Sequence, residues 1–177
     1  MQSKINWRTG ASLAATGLLI AVGAWAQSGP MKPSDMKFAQ EAAQGGQLEV
    51  QLGQLAVQNG HSDAVKQFGQ RMVDDHSKAN DKLMALAAKD NLTLPTQLDA
   101  QHQAIVDRFK NMSGAAFDKA YIQDMVKDHE EDIAAFRKEA RMGSNPDLKS
   151  FATTTLPTLE DHLRLARQDD TKIMSMK

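Results

Sequence analysis

The chain has 177 residues, with 21 Lys+Arg against 22 Asp+Glu, 41% hydrophobic residues, 5% aromatics and no cysteine. That length supports one domain with a real core rather than two of typical size, and a net charge of −1 gives no polyanion signal, so no nucleic-acid partner is expected. The lack of cysteine excludes a disulfide framework, a cysteine-ligated zinc finger, a thiol nucleophile and c-type haem attachment.

Lys4 and Arg8 precede an apolar stretch from Gly10 to Gly23, and Ala24-Trp25-Ala26 then forms a small-x-small cleavage site before Gln27. Charged, apolar and small-residue regions in that order make a secretory signal peptide over residues 1–26, cleaved after Ala26. Its apolar part falls short of the roughly 20 residues that span a bilayer; the alternative is an uncleaved N-terminal anchor. No cysteine follows it, so a lipoprotein is not expected. Cleavage removes two basic residues and shifts the net charge from −1 to −3. No later run is apolar for long enough to cross a membrane, so the mature chain is expected to be exported, soluble and, in a Gram-negative source, periplasmic.

Beyond a short linker, 27–33, the chain reads as an all-α domain over 34–170 with a flexible tail, 171–177. Ala, Gln, Leu, Lys and Met are abundant, and β-branched residues never cluster into strands. Ser34 is placed to cap a first helix over 35–59, closed by Asn59-Gly60 in a left-handed C-cap. Ser62 opens a second over 62–90, which Asn91 to Pro95 end. Thr96 precedes a short connector helix over 97–111. Ser113 opens a helix over 114–142, and Asn145-Pro146 a last one over 146–169, with a kink expected at Pro157 inside it. The apolar residues of each long helix fall on one face: Phe38, Ala42, Gly45, Leu48 and Leu52 on the first, Val65, Phe68, Met72 and Leu83 on the second. Tyr121, Met125, Ile133 and Phe136 mark the third long helix, and Leu148, Ala152, Leu159 and Ala166 the fourth. Four amphipathic helices, each needing a partner for its stripe, predict a ferritin-like antiparallel four-helix bundle, with the connector between the second and third long helices.

Polar residues interrupt these stripes. His76 follows Met72 by one turn and His129 follows Met125 by one turn, within a short repeat, Met72-Val73-Asp74-Asp75-His76 and Met125-Val126-Lys127-Asp128-His129. His162 sits at the edge of the last stripe, and Glu41 and Glu49 straddle the first. Each long helix therefore points a potential ligand inward, which is how bundle proteins build metal sites. Glu49, His76, His129 and His162 form the candidate set, suited to zinc, copper, iron or nickel. Glu41 and Glu49 are about 12 Å apart along a helix, so at most one joins a compact site. The same residues have a metal-free reading as a buried polar network that fixes helix register. Met72 and Met125 read as core filler, and His61 and His102 as surface or capping residues. A di-iron bundle needs Glu-x-x-His on two helices; here Val73, Val126 and Leu159 stand three residues before the histidines. Nor does the chain contain a phosphate-binding glycine loop, a nucleophile elbow or a paired His-Glu-x-x-His helix.

The segments Met72–His76, Phe117 to His129, and Phe151-Ala152 with Leu156-Pro157 to His162 resemble the exported ferritin-like domain-of-unknown-function family 4142. Gln47-Leu48-Glu49-Val50 followed by Leu52-Gly53 fits its first helix. The resemblance covers about residues 34–168 and implies an exported all-α bundle, without an established activity. The expectation is thus a non-enzymatic envelope or stress-related binding or structural protein without a cofactor, whose partner would be an envelope protein or a second copy of the chain. A periplasmic metal-binding protein is the alternative, and a metal-dependent oxidoreductase the third reading.

Overall fold

Capping and proline chemistry set the element starts. In the computed structural model, which describes residues 31–175, the chain folds as α1 (Pro33–Asn59), α2 (Asp63–Lys89), α3 (Ala100–Lys110), α4 (Gly114–Met142) and α5 (Pro146–Ser175). The expected signal peptide lies outside the described residues. Among those residues no helix is long and apolar enough to cross a membrane. The Ser62 hydroxyl accepts the Val65 N–H, and the Asn145 side-chain Oδ1 accepts the N–H groups of Asp147 and Leu148 just inside Pro146, filling donors a helix start leaves open.

Several local expectations are corrected. The N-cap of α1 is Lys32, with Pro33 in the first turn, and Ser34 turns its hydroxyl to Asp35 instead. Asp99, not Thr96, caps α3, accepting the His102 N–H. Ser113 holds the N-cap position of α4 without a side-chain bond. Gly60 closes α1 with φ −60°, outside the left-handed region. Its lack of a side chain serves close approach: a Cβ there would stand 2.5 Å from the Ala56 carbonyl oxygen. The residues expected as a tail continue α5 to Ser175, whereas Pro157 lies inside α5 as expected.

α1 packs on α2 and α4 on α5, each pair joined by a three-residue turn, and the two hairpins meet through α2 on α5 and α1 on α4. α3 lies against α1. Two carboxylates tie each hairpin turn to the opposite hairpin. Asp118 on α4 accepts the N–H groups of His61 and Ser62 at 2.7 and 2.8 Å. Asp35 on α1 accepts those of Ser144 and Asn145 at 3.2 and 2.8 Å. Burial alone would raise the Asp35 pKa, but its bonds to Ser144, Asn145 and Ser34 outweigh that and hold it below the usual value.

The apolar interior divides in two. One cluster holds Leu52, Phe68, Met72, Phe109, Tyr121, Met125 and Ala166. The other holds Phe38, Leu83, Ile133, Phe136, Phe151 and Leu159. On α2, α4 and α5 the break between clusters falls at His76, His129 and His162, so the histidines form a layer across the bundle.

α1 and α2 touch through Gly53 and Gly69. A Cβ on Gly69 would stand 2.6 Å from the Ala56 Cβ and 2.8 Å from the Gly53 carbonyl oxygen, closer than side-chain carbons are found. Gly69→Ala is therefore expected to destabilise by about 1–3 kcal/mol through overpacking, outweighing a helix-propensity gain of about 1 kcal/mol. Thermal unfolding followed by circular dichroism checks this; an unchanged or higher Tm contradicts the close helix contact.

Candidate metal centre

Three helices each place one imidazole in the layer. His129 and His162 are 0% exposed and His76 is 6% exposed. The ring centroids lie 5.3 to 5.7 Å apart, and a ring nitrogen of each histidine lies within 4.8 Å of one from both others. Phe68 stands edge-on to His162, and Met72 and Met125, fully buried one turn earlier, belong to the adjoining apolar cluster.

Hydrogen-bond partners fix where the protons are. His129 Nδ1 lies 2.9 Å from the Met125 carbonyl oxygen, which can only accept, so this nitrogen carries hydrogen. His162 Nε2 lies 3.0 Å from Asp75 Oδ2. Burial works against ionisation of Asp75, but the His162 bond and the charges of His162, Arg71 and Lys78 outweigh it and keep its pKa low. A carboxylate is acceptor-only, so His162 Nε2 carries hydrogen too. In neutral rings this leaves His129 Nε2 and His162 Nδ1 bare, and they face each other at 3.3 Å. The third ring adds His76 Nε2, buried with no hydrogen-bond partner.

An extra proton would relieve the conflict, but the surroundings resist it. Burial, then the neighbouring His162, pulls the His129 pKa down to about 4. Burial, then the charges of His129 and His162, lowers that of His76 well below 6.5. Burial lowers His162 as well, against the opposing pull of Asp75. Three neutral imidazoles thus converge, two of them, His129 and His162, with lone pairs inward and N–H groups outward.

This donor set fits a metal ion. A histidine ligand generally donates its other N–H to a carboxylate or backbone carbonyl, as His162 does to Asp75 and His129 to Met125. Two nitrogens bound at 2.0–2.1 Å to a tetrahedral ion stand about 3.3 Å apart, the separation of His129 Nε2 and His162 Nδ1. Asp75 is held in turn by Arg71 at 3.4 Å and Lys78 at 3.7 Å, and Arg71 also reaches Asp161 on α5 at 2.6 Å.

The structure divides the sequence-derived candidates. His76, His129 and His162 come together; Glu49 stands on the other edge of the His129 ring, its Oε1 3.8 Å from Nδ1. Glu49 is fully buried, and no N–H or O–H donor of another residue reaches either oxygen; a proton on Glu49 can be shared with Asp128. Burial, then Asp128, Asp132 and Asp124, pushes its pKa well above 4.5. Glu41 does not point inward: it is exposed and pairs with Lys37 on its own helix, because the buried face of α1 runs through Ala39, Ala43 and Gly46 rather than Ala42 and Gly45. His61 is exposed and His102 bonds Asp99, as expected for surface and capping residues. The sequence reading passed over Tyr121 as a polar group, Arg71 and Asp132. The four-residue spacing of Asp124, Asp128 and Asp132 on α4 was the available signal for the last.

A family model described as "Domain of unknown function (DUF4142)" matches residues 21–168. Among solved structures, the crystal structure of a DUF305 fragment from Deinococcus radiodurans is similar, with a TM-score of 0.71 and 12% identity over 81% of this chain and 99% of that one. At that identity the likeness shows a shared helical fold. No curated protein matches the chain significantly.

Two stability effects of opposite sign follow for the metal-free chain. An unfolded histidine takes up protons below pH 6.5, whereas the buried His129 does so only near pH 4. Neutral-imidazole burial therefore contributes stability that is complete above about pH 6.5 and is lost as the pH falls toward 4. Chemical denaturation at pH 7.5 and pH 5 is expected to give a lower unfolding free energy at pH 5, and less of a drop in His76→Leu. Equal drops in the two proteins would contradict burial of His76 as a neutral ring. Glu49 acts the other way: its raised pKa disfavours the folded state as the pH rises past 4.5. Glu49→Gln is accordingly expected to stabilise the metal-free chain by about 1–3 kcal/mol at pH 7, with the gain vanishing below pH 4.5. A destabilised variant at pH 7 would contradict an unpaired buried acid.

Proposed function

Because the chain belongs to the domain-of-unknown-function family DUF4142, whose description names no activity, we propose its function from its own side chains: it is a metal-binding protein that holds one transition-metal ion through His76, His129 and His162. The observation that carries this reading is the pair of facing nitrogens on His129 and His162, 3.3 Å apart, each in a ring whose N–H is committed elsewhere. A purely structural polar network would supply a proton at that gap. Here the burial of both rings opposes one, and a Lewis acid meets the same lone pairs without it.

Imidazole nitrogen suits zinc, copper, nickel and iron, and a buried set of three neutral nitrogen donors without thiolate or carboxylate is best matched by zinc or copper. Three protein ligands leave a fourth tetrahedral position for water or another donor. Iron oxidation is not part of the proposal. Val73, Val126 and Leu159 occupy the positions where the di-iron bundle pattern requires glutamate, and the nearest buried carboxylate, Glu49, faces away from the three-nitrogen cluster. The work assigned to the chain is to bind and retain a metal rather than to turn over a substrate.

We further propose that it does so outside the cytoplasm. Lys4 and Arg8, the apolar stretch and Ala24-Trp25-Ala26 support export with cleavage after Ala26. The mass of the protein recovered from the periplasm tests this, the mature chain beginning at Gln27.

Elemental analysis of the chain, purified without chelator or affinity tag, is expected to find close to one transition-metal ion per molecule, lost in the His76→Ala/His129→Ala double variant. Added zinc at about one hundred times its Kd is expected to stabilise the metal-free protein by about 2.7 kcal/mol. No metal on purification, together with no uptake of zinc, copper, nickel or iron, would overturn the proposal.

A further inference from the structure

On the other edge of the His129 ring a second group of ligand atoms converges. Glu49, Asp128 and His129 each offer one, all within 4.8 Å of one another. Glu49 comes from α1 and the other two from α4. Both Glu49 oxygens, Asp128 Oδ2 and the Tyr121 hydroxyl are buried without a hydrogen-bond partner. A polar group out of water without a partner is costly; a proton shared between Glu49 and Asp128 meets one oxygen of each, and leaves the other Glu49 oxygen and the Tyr121 hydroxyl without a partner.

Protein cations do not supply one. Arg108, on α3, is committed to Asp124 at 2.9 Å and Lys127, on α4, to Glu131 at 3.7 Å. Among the described residues, the basic side chain within 4 Å of Glu49 is His129, a neutral ring whose Nδ1 already donates to Met125. One turn further along α4, Asp132 faces Gly45, which lies one turn before Glu49 on α1. A Cβ on Gly45 would find Asp132 Oδ1 at 3.9 Å and no other heavy atom as close. The glycine therefore leaves space beside the carboxylates.

We propose that Glu49 and Asp128 form a second cation site, distinct from the three-imidazole cluster, that takes a hard divalent ion of the manganese(II) class. The acidic spacing on α4 would not carry this alone. The independent observation is Glu49 on the opposite helix, wholly buried, with no N–H or O–H donor from another residue on either oxygen and within ligand distance of Asp128. Carboxylate oxygens suit magnesium, calcium and manganese. Calcium needs about six to eight oxygens and magnesium a near-ideal octahedron, whereas Glu49 and Asp128 offer few oxygens in fixed places, and manganese(II) takes carboxylates with water completing its shell from the space beside Gly45. The proposal does not depend on metal at the histidines, since Glu49 and Asp128 lie outside that cluster and His76 and His162 outside this one.

The test is manganese(II) titration of the purified metal-free chain, read by loss of the free-ion electron paramagnetic resonance signal, with zinc titrated in parallel. One manganese equivalent is expected to bind, at least tenfold more weakly in Glu49→Gln and in Asp128→Asn, and unchanged in His76→Ala. Zinc binding is expected to show the reverse pattern. Thermal melts confirm that each variant is folded, and the near-isosteric Glu49→Gln removes charge without opening a cavity. The proposal is overturned if manganese is not bound, if Glu49→Gln binds it as well as the unaltered chain, or if His76→Ala is the variant that loses it. Should zinc fail to bind while manganese follows Glu49 and Asp128, the three-imidazole reading falls and this one stands.

Discussion

The layer across the bundle is governed by a shortage of protons. Met125 presents a carbonyl to His129 and Asp75 a carboxylate to His162, so each ring places its one neutral-state N–H outward. What remains between them is two bare nitrogens at 3.3 Å, with a third, on His76, unpaired nearby. Lone pairs in such an arrangement repel in the absence of a cation. The split of the apolar core into two clusters follows from the same layer, because each of α2, α4 and α5 gives up an apolar position to seat a histidine.

The rest of the fold keeps that layer in register. α1 and α2 are drawn together where Gly53 and Gly69 leave no room for side chains. Asp118 and Asp35 bind the backbone of the turns at opposite ends of the bundle, so each hairpin's turn is held by the other hairpin. Gln44 and Gln47 on α1 fasten the segment before α3, donating to the Gln97 and Pro95 carbonyls. Ligands carried on helices fixed in this way are preorganised, and ion binding then requires little ordering of the protein. Arg71 links the layer to the surface through Asp75 and Asp161.

Much of this was legible in the sequence. Helical periodicity, Ser62, Asn145-Pro146 and the glycine and proline breaks placed four long helices and a connector within about three residues of their bounds, except the end of α5, which continues six residues past 169 to Ser175. Histidines on apolar stripes marked His76, His129 and His162 as inward residues. The choice between Glu41 and Glu49 was not legible: Ala39, Ala43 and Gly46 are as able to face a core as Ala42 and Gly45, and rotation of α1 is set by contacts with α2. The α3 cap was misread because Thr96 and Asp99 both suit an N-cap, and Asp99 is fixed there by Gln44, far away in sequence, which accepts its N–H. Least legible was the direction of each imidazole. It depends on Met125 offering a backbone carbonyl and on Asp75 reaching across from α2 to α5, neither of which a residue pattern encodes. For that reason the sequence favoured a metal-free polar core, whereas the donor geometry favours a metal.

X-ray absorption spectroscopy of the zinc-loaded chain tests the central claim most directly, because it reads the atoms around the ion. Three imidazole nitrogens near 2.0–2.1 Å, with the multiple-scattering pattern of histidine rings and one lighter donor completing the shell, are predicted. A shell of oxygen alone, without imidazole scattering, would contradict the account.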